Sequence, residues 1–498
     1  MLNREQLAAE IAKEVIARLQ VHMGSAPGSQ ATAAAAPQKP ATNGHTQVQV
    51  SEQGVDGVFA TVDDAVKAAA EAQKKVAALS LEDRGRMIDI VRKVCSERSH
   101  QLAKMELEET KLGRLDHKIE KLKIVKNVLG VEAMRVDART DASGLTLIER
   151  APWGVIGMVL PATHSAPTLA SNAINILASG NAAVFSPHPA GAKVAAYALS
   201  IFNREIQREV GIANSLTTVR DASIRSAEEI FRHPGIALLC VTGGPMVVKA
   251  ASKAGKRVIA AGPGNPPVVV DETADLDAAA RAIIKGGSFD NNLLCIGEKE
   301  VFVVAKVFDA FMAAMKRAGA FELDKAAIAR LTDASFTFEE GKGAGCGQAH
   351  LKRDLVGKDV SVLAAAAGVK VPAGVDLLFG ETKADHAFVQ EEQMMPFVPV
   401  VKVGCIDAAI EAALQAEHGY RHTAIIHSNN INNVTKYARV MNTTLLVHNE
   451  ACVAALGTGG AGYLSFSIAT PTGEGVTTPL TFTRERQLTV GLGAMRII

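Results

Sequence analysis

Neither sign of charge prevails in this chain: 53 Lys and Arg residues face 52 Asp and Glu, for a formal net charge of +1. That removes any global electrostatic attraction to nucleic acid or to an anionic membrane. The six cysteines (Cys95, Cys240, Cys295, Cys346, Cys405 and Cys452) include no C-x-x-C pair. Such scatter excludes a disulfide framework and fits free thiols in a reducing compartment. No apolar run is long enough to span a bilayer. The first residues mix acidic and basic side chains and lack the unbroken apolar core of a secretory signal. A soluble, cytoplasmic protein is expected. What remains is a globular balance, 48% hydrophobic and 21% charged, over 498 residues. That length calls for two or three domains.

Residues 1–20 read as an amphipathic helix capped by Asn3, with Gln6 three positions on. Leu7, Ile11, Val15 and Leu19 recur every four residues on one flank, and Glu10, Lys13 and Glu14 lie opposite. Residues 21–50 are a linker rich in Ala, Pro, Gly, Ser and Thr, with nothing to bury. A tethered helix of this length needs a partner to cover its apolar flank, so a docking peptide is expected. Residues 61–135 read as helical with no evident chemistry, and His100 and His117 as solvated helix residues. Residues 136–150 read as a projecting hairpin.

Strands and helices then alternate. Strands are expected at 154–160, 182–185, 236–241, 258–261 and 268–270, separated by loops at 161–167, 186–189 and 242–244. Repetition of this kind predicts parallel α/β sheets, with ligands at the carboxyl ends of the strands. Thr242-Gly243-Gly244-Pro245 is a candidate phosphate cradle, since glycines let backbone approach a pyrophosphate and a helix start favours anions. No G-x-G-x-x-G stands at this step, so a conventional Rossmann fingerprint is not the basis. A second α/β unit is expected from about residue 271 to 478. Cys346 and His350 have the spacing of a metal pair, but no second pair accompanies them and no metal is expected. The tail from 481 to 498 alternates like a strand, an arm of the kind that pairs with a neighbour's sheet.

Cys295 is the centre of the chain. It stands between the polar Asn291-Asn292 step and Ile296-Gly297, just ahead of the apolar run 301–304. A thiol on a loop before a buried strand is placed to attack a carbonyl carbon. Glu391-Glu392 precedes another strand and offers a carboxylate for a ribose hydroxyl or for proton transfer.

Pro152-Trp153-Gly154-Val155, the Pro161 loop, Gly180-Asn181, Thr242-Gly243, Cys295 and Glu392 to Pro396 stand in an order that resembles the aldehyde dehydrogenase superfamily over about residues 55–498. Ser186-Pro187-His188-Pro189, Glu392-Gln393-Met394-Met395-Pro396, the His418 to Thr423 step and the Ala469 to Gly475 step are similar to its CoA-acylating branch. The N-terminal helix and linker resemble encapsulation peptides of bacterial microcompartment enzymes. The resemblance implies an NAD-binding domain (51–135 and 151–266), a catalytic domain (267–478), and an oligomerisation hairpin and arm (136–150 and 479–498). It implies Cys295 as nucleophile, Glu392 on the nicotinamide ribose, and cofactor contacts from Pro161, Ser186, His188, Thr242, Gly243, Gly244 and Gly262. It implies NAD and coenzyme A as cofactor and co-substrate, a short-chain aldehyde as substrate, a shell protein bound by residues 1–20 inside a microcompartment, and a homo-oligomer, dimer or tetramer.

Three departures shape the expected chemistry. Ala261 stands where hydrolytic members carry the glutamate that activates water. A thiol needs less help than water to attack a thioester, so thiolysis by CoA is expected in place of hydrolysis. Ser186 to Pro189 replaces the Lys and Glu that hold the adenosine ribose in hydrolytic members, which leaves NAD against NADP open. The usual oxyanion asparagine falls at Thr163-His164, and either side chain could donate. The alternatives to acyl-CoA formation from propionaldehyde are acetaldehyde as main substrate, a hydrolytic enzyme giving free acid, and an inactive shell-cargo protein.

Overall fold

The first sheet has six strands in the spatial order Val58–Phe59, Leu216–Val219, Ala182–Pro187, Val155–Leu160, Leu238–Thr242 and Arg257–Ala261. Every pairing is parallel. Val155–Leu160 and Ala182–Pro187 are buried at all six positions, which their Val, Ile and Ala content permits in a sheet covered on both faces. The chain direction across the sheet reverses between Val155–Leu160 and Leu238–Thr242. That reversal opens a crevice at their carboxyl ends, between the Pro161 loop and Thr242.

The second sheet has seven strands, again all parallel, in the order Phe321–Glu322, Leu378–Thr382, Phe397–Val403, Glu300–Val304, Pro267–Val270, Thr423–His427 and Leu445–His448. The helix Ser165–Ala178 is buried at every residue. Its Asn172 Nδ2 donates to Ser467 Oγ at 3.1 Å, tying it to the late chain.

These features come from a computed structural model that describes residues 56–338, 349–493 and 495. The expected docking helix and linker, and Cys346 with its glycine-rich surroundings, lie outside the described residues. No described helix is long and apolar enough to cross a membrane, and no described group of three or more His, Cys, Asp or Glu could hold a metal ion.

Several boundaries differ from the sequence reading. The expected loop 161–167 ends early, because the helix begins at Ser165 with His164 at its N-cap. Pro167 is tolerated there, since a first-turn residue has no intrahelical partner for the N–H that proline lacks. Ser186 and Pro187 belong to a strand, and the following helix starts at Ala192 after a 3-10 turn, Pro189–Gly191. His117 is not a solvated residue: it stacks on Phe289 at 4.5 Å between ring centroids, and its Nδ1 accepts the Asp290 N–H at 2.8 Å. The hairpin Asp137–Asp141 with Gly144–Pro152 is present. The C-terminal strand Thr483–Val490 pairs antiparallel with that hairpin in its own chain, from Thr483 opposite Pro152 to Val490 opposite Leu145.

Candidate active site

Cys295 follows the helix Leu276–Ser288 and a tight turn, and precedes the strand Glu300–Val304. The turn is unusual. Asp290, Asn291 and Asn292 all have positive φ, at 50°, 57° and 61°. Asp and Asn enter the left-handed region more readily than other side-chain-bearing residues, which accounts for their use here. Each is also held. Asp290 Oδ2 is 2.5 Å from Lys121 Nζ, Asn291 Nδ2 donates to the Gly357 carbonyl at 3.0 Å, and Asn292 Nδ2 donates to the Glu298 carbonyl at 2.9 Å. Lys299, fully buried, donates to the carbonyls of Asn292 at 2.8 Å and Leu294 at 3.1 Å. The cysteine loop is therefore pinned from both sides.

Cys295 is partly exposed. Burial of its sulfur and then the Glu392 carboxylate push the thiol up to about 12, against a smaller pull from Lys299. The resting sulfur is a thiol at neutral pH, not the thiolate that attacks carbonyl carbon.

Gly264 joins the remaining groups. A Cβ there would lie 2.6 Å from the Cys295 carbonyl oxygen and 2.9 Å from His422 Cγ, so only glycine fits between them. The Gly264 N–H also serves the Glu392 carboxylate. Burial pushes Glu392 up to about 7, with Lys299 and that N–H pulling it down. Burial and then Lys299 push His422 down to about 4, so its imidazole is neutral. His422 Nδ1 meets Thr423 Oγ1 at 2.8 Å, and its Nε2 has no hydrogen-bond partner among the described residues. Cys295, Glu392 and His422 all precede strands of the second sheet. The site thus uses the amino edge of that sheet and the carboxyl edge of the first.

The other expected residues divide. Pro161, Thr163 and His164 follow the strand Val155–Leu160, and Thr242 ends its neighbour, with Gly243 and Gly244 just beyond. Gly244 has open space where a Cβ would stand, immediately ahead of the helix Pro245–Ser252. Such a free backbone at a helix start fits the diphosphate of a dinucleotide. Thr242 Oγ1 is 2.8 Å from Ser467 Oγ. Ser186 is buried within its strand, and His188 Nδ1 accepts the Ala190 N–H at 3.1 Å as the cap of its turn. Gly262 is fixed by packing, because a Cβ would meet Pro471 Cγ at 2.8 Å. The Ala469 to Gly475 step braces the same strand, with Thr472 Oγ1 accepting the Ala260 N–H at 2.9 Å. Ala261 is 4% exposed and offers no base.

His164 is 6% exposed, its Nε2 is 3.1 Å from Thr163 Oγ1, and its Nδ1 has no described partner. Burial, then Lys121 and Lys118, hold it well below the usual histidine range. The two lysines belong to the region read as free of chemistry. Lys118 Nζ lies 2.8 Å from Glu106 Oε1 and 3.7 Å from Asp290 Oδ2, and both lysines lie 3.4 Å from the Thr163 carbonyl oxygen. Along with Lys299 and His422, they were missed as site residues. Their sequence signal is faint: an i, i+3 lysine pair on a helix, and a charge triplet, Glu298-Lys299-Glu300, opening an apolar strand.

The model of the aldehyde dehydrogenase family matches residues 30–324. An acetylating acetaldehyde dehydrogenase of Salmonella typhimurium is 44% identical over 89% of this chain and 94% of its own length. The propionaldehyde dehydrogenase of Rhodopseudomonas palustris, solved with bound CoA and an acylated cysteine, is 39% identical with a TM-score of 0.84, over 88% of this chain and 98% of its own. The propionaldehyde dehydrogenase of a Clostridium phytofermentans fucose-utilisation microcompartment is 39% identical with a TM-score of 0.85, over 89% of this chain and 100% of its own. With the pinned cysteine, the free glycine cradle and the absent base at Ala261, these likenesses settle the family: the chain belongs to the aldehyde dehydrogenases, in their CoA-acylating branch.

Proposed function

We propose that this enzyme oxidises a short-chain aldehyde, propionaldehyde in the first instance, to its acyl-CoA through a thioester on Cys295. The Cys295 sulfur gives its proton to solvent as it bonds to the aldehyde carbon, whose carbonyl π electrons move to oxygen and leave an oxyanion. The Cys295 N–H and His164 Nδ1–H stabilise that oxyanion, the latter because Thr163 Oγ1 occupies Nε2 and leaves Nδ1 free. NAD, when bound, accepts the hydride whose departure restores the carbonyl as a thioester. The CoA sulfur, having given its proton to solvent, then bonds to the same carbon, and the Cys295 sulfur leaves and takes up a proton. Glu392 is assigned to the nicotinamide ribose and the Gly243-Gly244 step to the diphosphate.

The observation that carries this reading is the pairing of a pinned Cys295 with a buried alanine at 261. It supplies a covalent acyl carrier without a base for water. Acetaldehyde is the second substrate reading, favoured by the 44% identity to an acetylating acetaldehyde dehydrogenase. One methylene is a small discrimination in an apolar pocket.

The adenosine end of the nucleotides is assigned to a cavity of about 350 Å³ between the helices Ile224–Arg232 and Pro245–Ser252. Phe231 and Met246 give it apolar surface, and Arg232, Lys249 and Lys253 give it a basic rim that also includes one carboxylate, Glu228. Residues 1–20 are proposed to dock on a microcompartment shell protein, in keeping with the Clostridium relative's origin. The three-stranded antiparallel sheet, with Leu488 58% exposed, is proposed to face a second copy of the chain in a dimer or tetramer.

The test is to incubate the protein with propionaldehyde and NAD, with and without CoA, and to measure NADH and propionyl-CoA. Sustained turnover is expected only with CoA, and Cys295→Ala removes both products. Sustained NADH and propionate without CoA would overturn the reading. Deleting residues 1–20 should spare turnover and abolish co-purification with shells, and a truncated chain that still enters shells would refute the docking role.

A further inference from the structure

Four charged side chains are buried together beside the site: Glu106 and Lys118 are 1% exposed, and Lys121 and Asp290 are fully buried. Burying charge is costly even when it is paired, and apolar side chains of the same shape often serve stability as well. The cluster therefore asks for a reason beyond holding the fold.

Its hydrogen bonds suggest one. Glu106 Oε2 accepts the Ala166 N–H at 2.8 Å, in the first turn after His164. Asp290 Oδ1 accepts the Arg114 N–H at 2.8 Å, while the Asp290 N–H is itself held by His117. Glu106 thus grips the backbone of the His164 half of the site, whereas Asp290 belongs to the Cys295 half and grips the Arg114 N–H at the head of the helix Leu115–Lys123 that carries both lysines. Lys118 bridges the two carboxylates, and Lys121 closes on Asp290. Both ammonium groups also face the Thr163 carbonyl oxygen. One half belongs to the carboxyl edge of the first sheet and the other to the amino edge of the second. Directional charge-assisted bonds fix such a spacing more tightly than apolar contact does. The left-handed turn at Asp290 needs restraint of this kind, because strained backbone persists only where its surroundings over-determine it.

We propose that Lys118 and Lys121 are positioning residues for the reaction: anchored on Glu106 and Asp290, they clamp the Thr163-His164 step against the Cys295 loop and so fix where the oxyanion meets its donors. The inference rests on the thioester reading given above. Both chemical steps pass through an oxyanion on the same carbon, so the clamp serves acylation and transfer to CoA alike.

The experiment uses the full chain with propionaldehyde, NAD and CoA. A single change at Lys121 leaves the buried Asp290 with only the longer Lys118 contact and threatens folding. The informative variant is Lys121→Met combined with Asp290→Asn, which removes both charges together. Its melting temperature is expected near that of the unaltered enzyme, and KM for NAD and for CoA within about twofold. The rate should fall by on the order of 100-fold, the scale set by small misplacements of reacting groups. The NADH burst and acyl transfer from pre-acylated enzyme should slow together. A folded double variant with kcat within about threefold of the unaltered enzyme would overturn the clamp, as would a loss confined to KM. If the double variant does not fold, Asp290→Asn alone, which keeps the side chain's shape, is judged by the same division between kcat and KM. The unaltered enzyme is assayed alongside. Failure of its own CoA-dependent turnover would count against the thioester reading, whereas a normal parent with an unaffected variant counts against the clamp alone.

Discussion

Gly113 and Asp290 approach so closely that a Cβ on the glycine would stand 2.1 Å from Asp290 Oδ1. The glycine also has φ of +79°, so an alanine there is opposed by both backbone and carboxylate. Gly113→Ala is expected to destabilise the protein by more than about 1 kcal/mol, because the strain and the lost approach add. It should also displace Asp290 and lower kcat. A thermal melt read beside steady-state rates checks both parts, and an unchanged melt would mean that the turn yields without cost.

Burial first, and then the Glu392 carboxylate, hold the Cys295 sulfur in its protonated form. Burial and this carboxylate together push the thiol up to about 12. Glu392→Gln removes the negative charge, so the thiol pKa falls and the thiolate fraction at a fixed pH rises. Iodoacetamide should therefore alkylate the nucleotide-free variant faster than the unaltered protein at pH 8. Mass spectrometry of the Cys295 peptide gives the rate, and equal rates would show that the carboxylate does not act on the sulfur.

The ribose contact proposed for Glu392 would carry a pH dependence for cofactor binding. A ribose hydroxyl donates best to an ionised carboxylate, and Glu392 ionises only as pH rises through about 7. The folded value lies above that of a free glutamate, so the contact is present above about 7 and lost as pH falls through it. KM for NAD should rise on acidification across that range. In Glu392→Gln the rise should disappear and KM should stay high throughout. A parallel acid rise in the variant would assign the titration to another group.

The strands and the cysteine loop were legible because their signals are local. Unbroken Val, Ile and Ala runs mark strands buried on two faces, and a cysteine ahead of such a run marks a loop at a sheet edge. Glu392 and Thr242 are reached through motif order alone. The clamp was not legible. Lys118 and Lys121 have the look of a solvated helix face, and only the long-range approach of Asp290, 169 positions from Lys121, turns that face inward. His422 was hidden in the same way, because what places it beside Cys295 is the missing side chain of Gly264. Gly262 has a packing reason of its own that motif order does not show, since a Cβ there would meet Pro471 Cγ at 2.8 Å. His188 likewise spends its Nδ1 on a turn.

The basic rim of the adenosine cavity separates two sources of the same chemistry. Coenzyme A and NADP each carry a ribose phosphomonoester that NAD lacks, and Lys249, in the helix Pro245–Ser252, and Lys253, its C-cap, line the cavity. Both are exposed, so each contact with phosphate is worth a modest amount, on the order of 1 kcal/mol or about fivefold in affinity. Replacing both with Met should raise KM for CoA by about tenfold or more, taking the two contacts as additive. Dephospho-CoA should then be used equally by the variant and the unaltered enzyme, since it offers the rim nothing to bind. Running the pair with NAD and with NADP completes the comparison. A penalty with NADP but not with CoA assigns the rim to the cofactor, a penalty with CoA alone assigns it to the acyl acceptor, and no penalty with either removes these lysines from the nucleotide site.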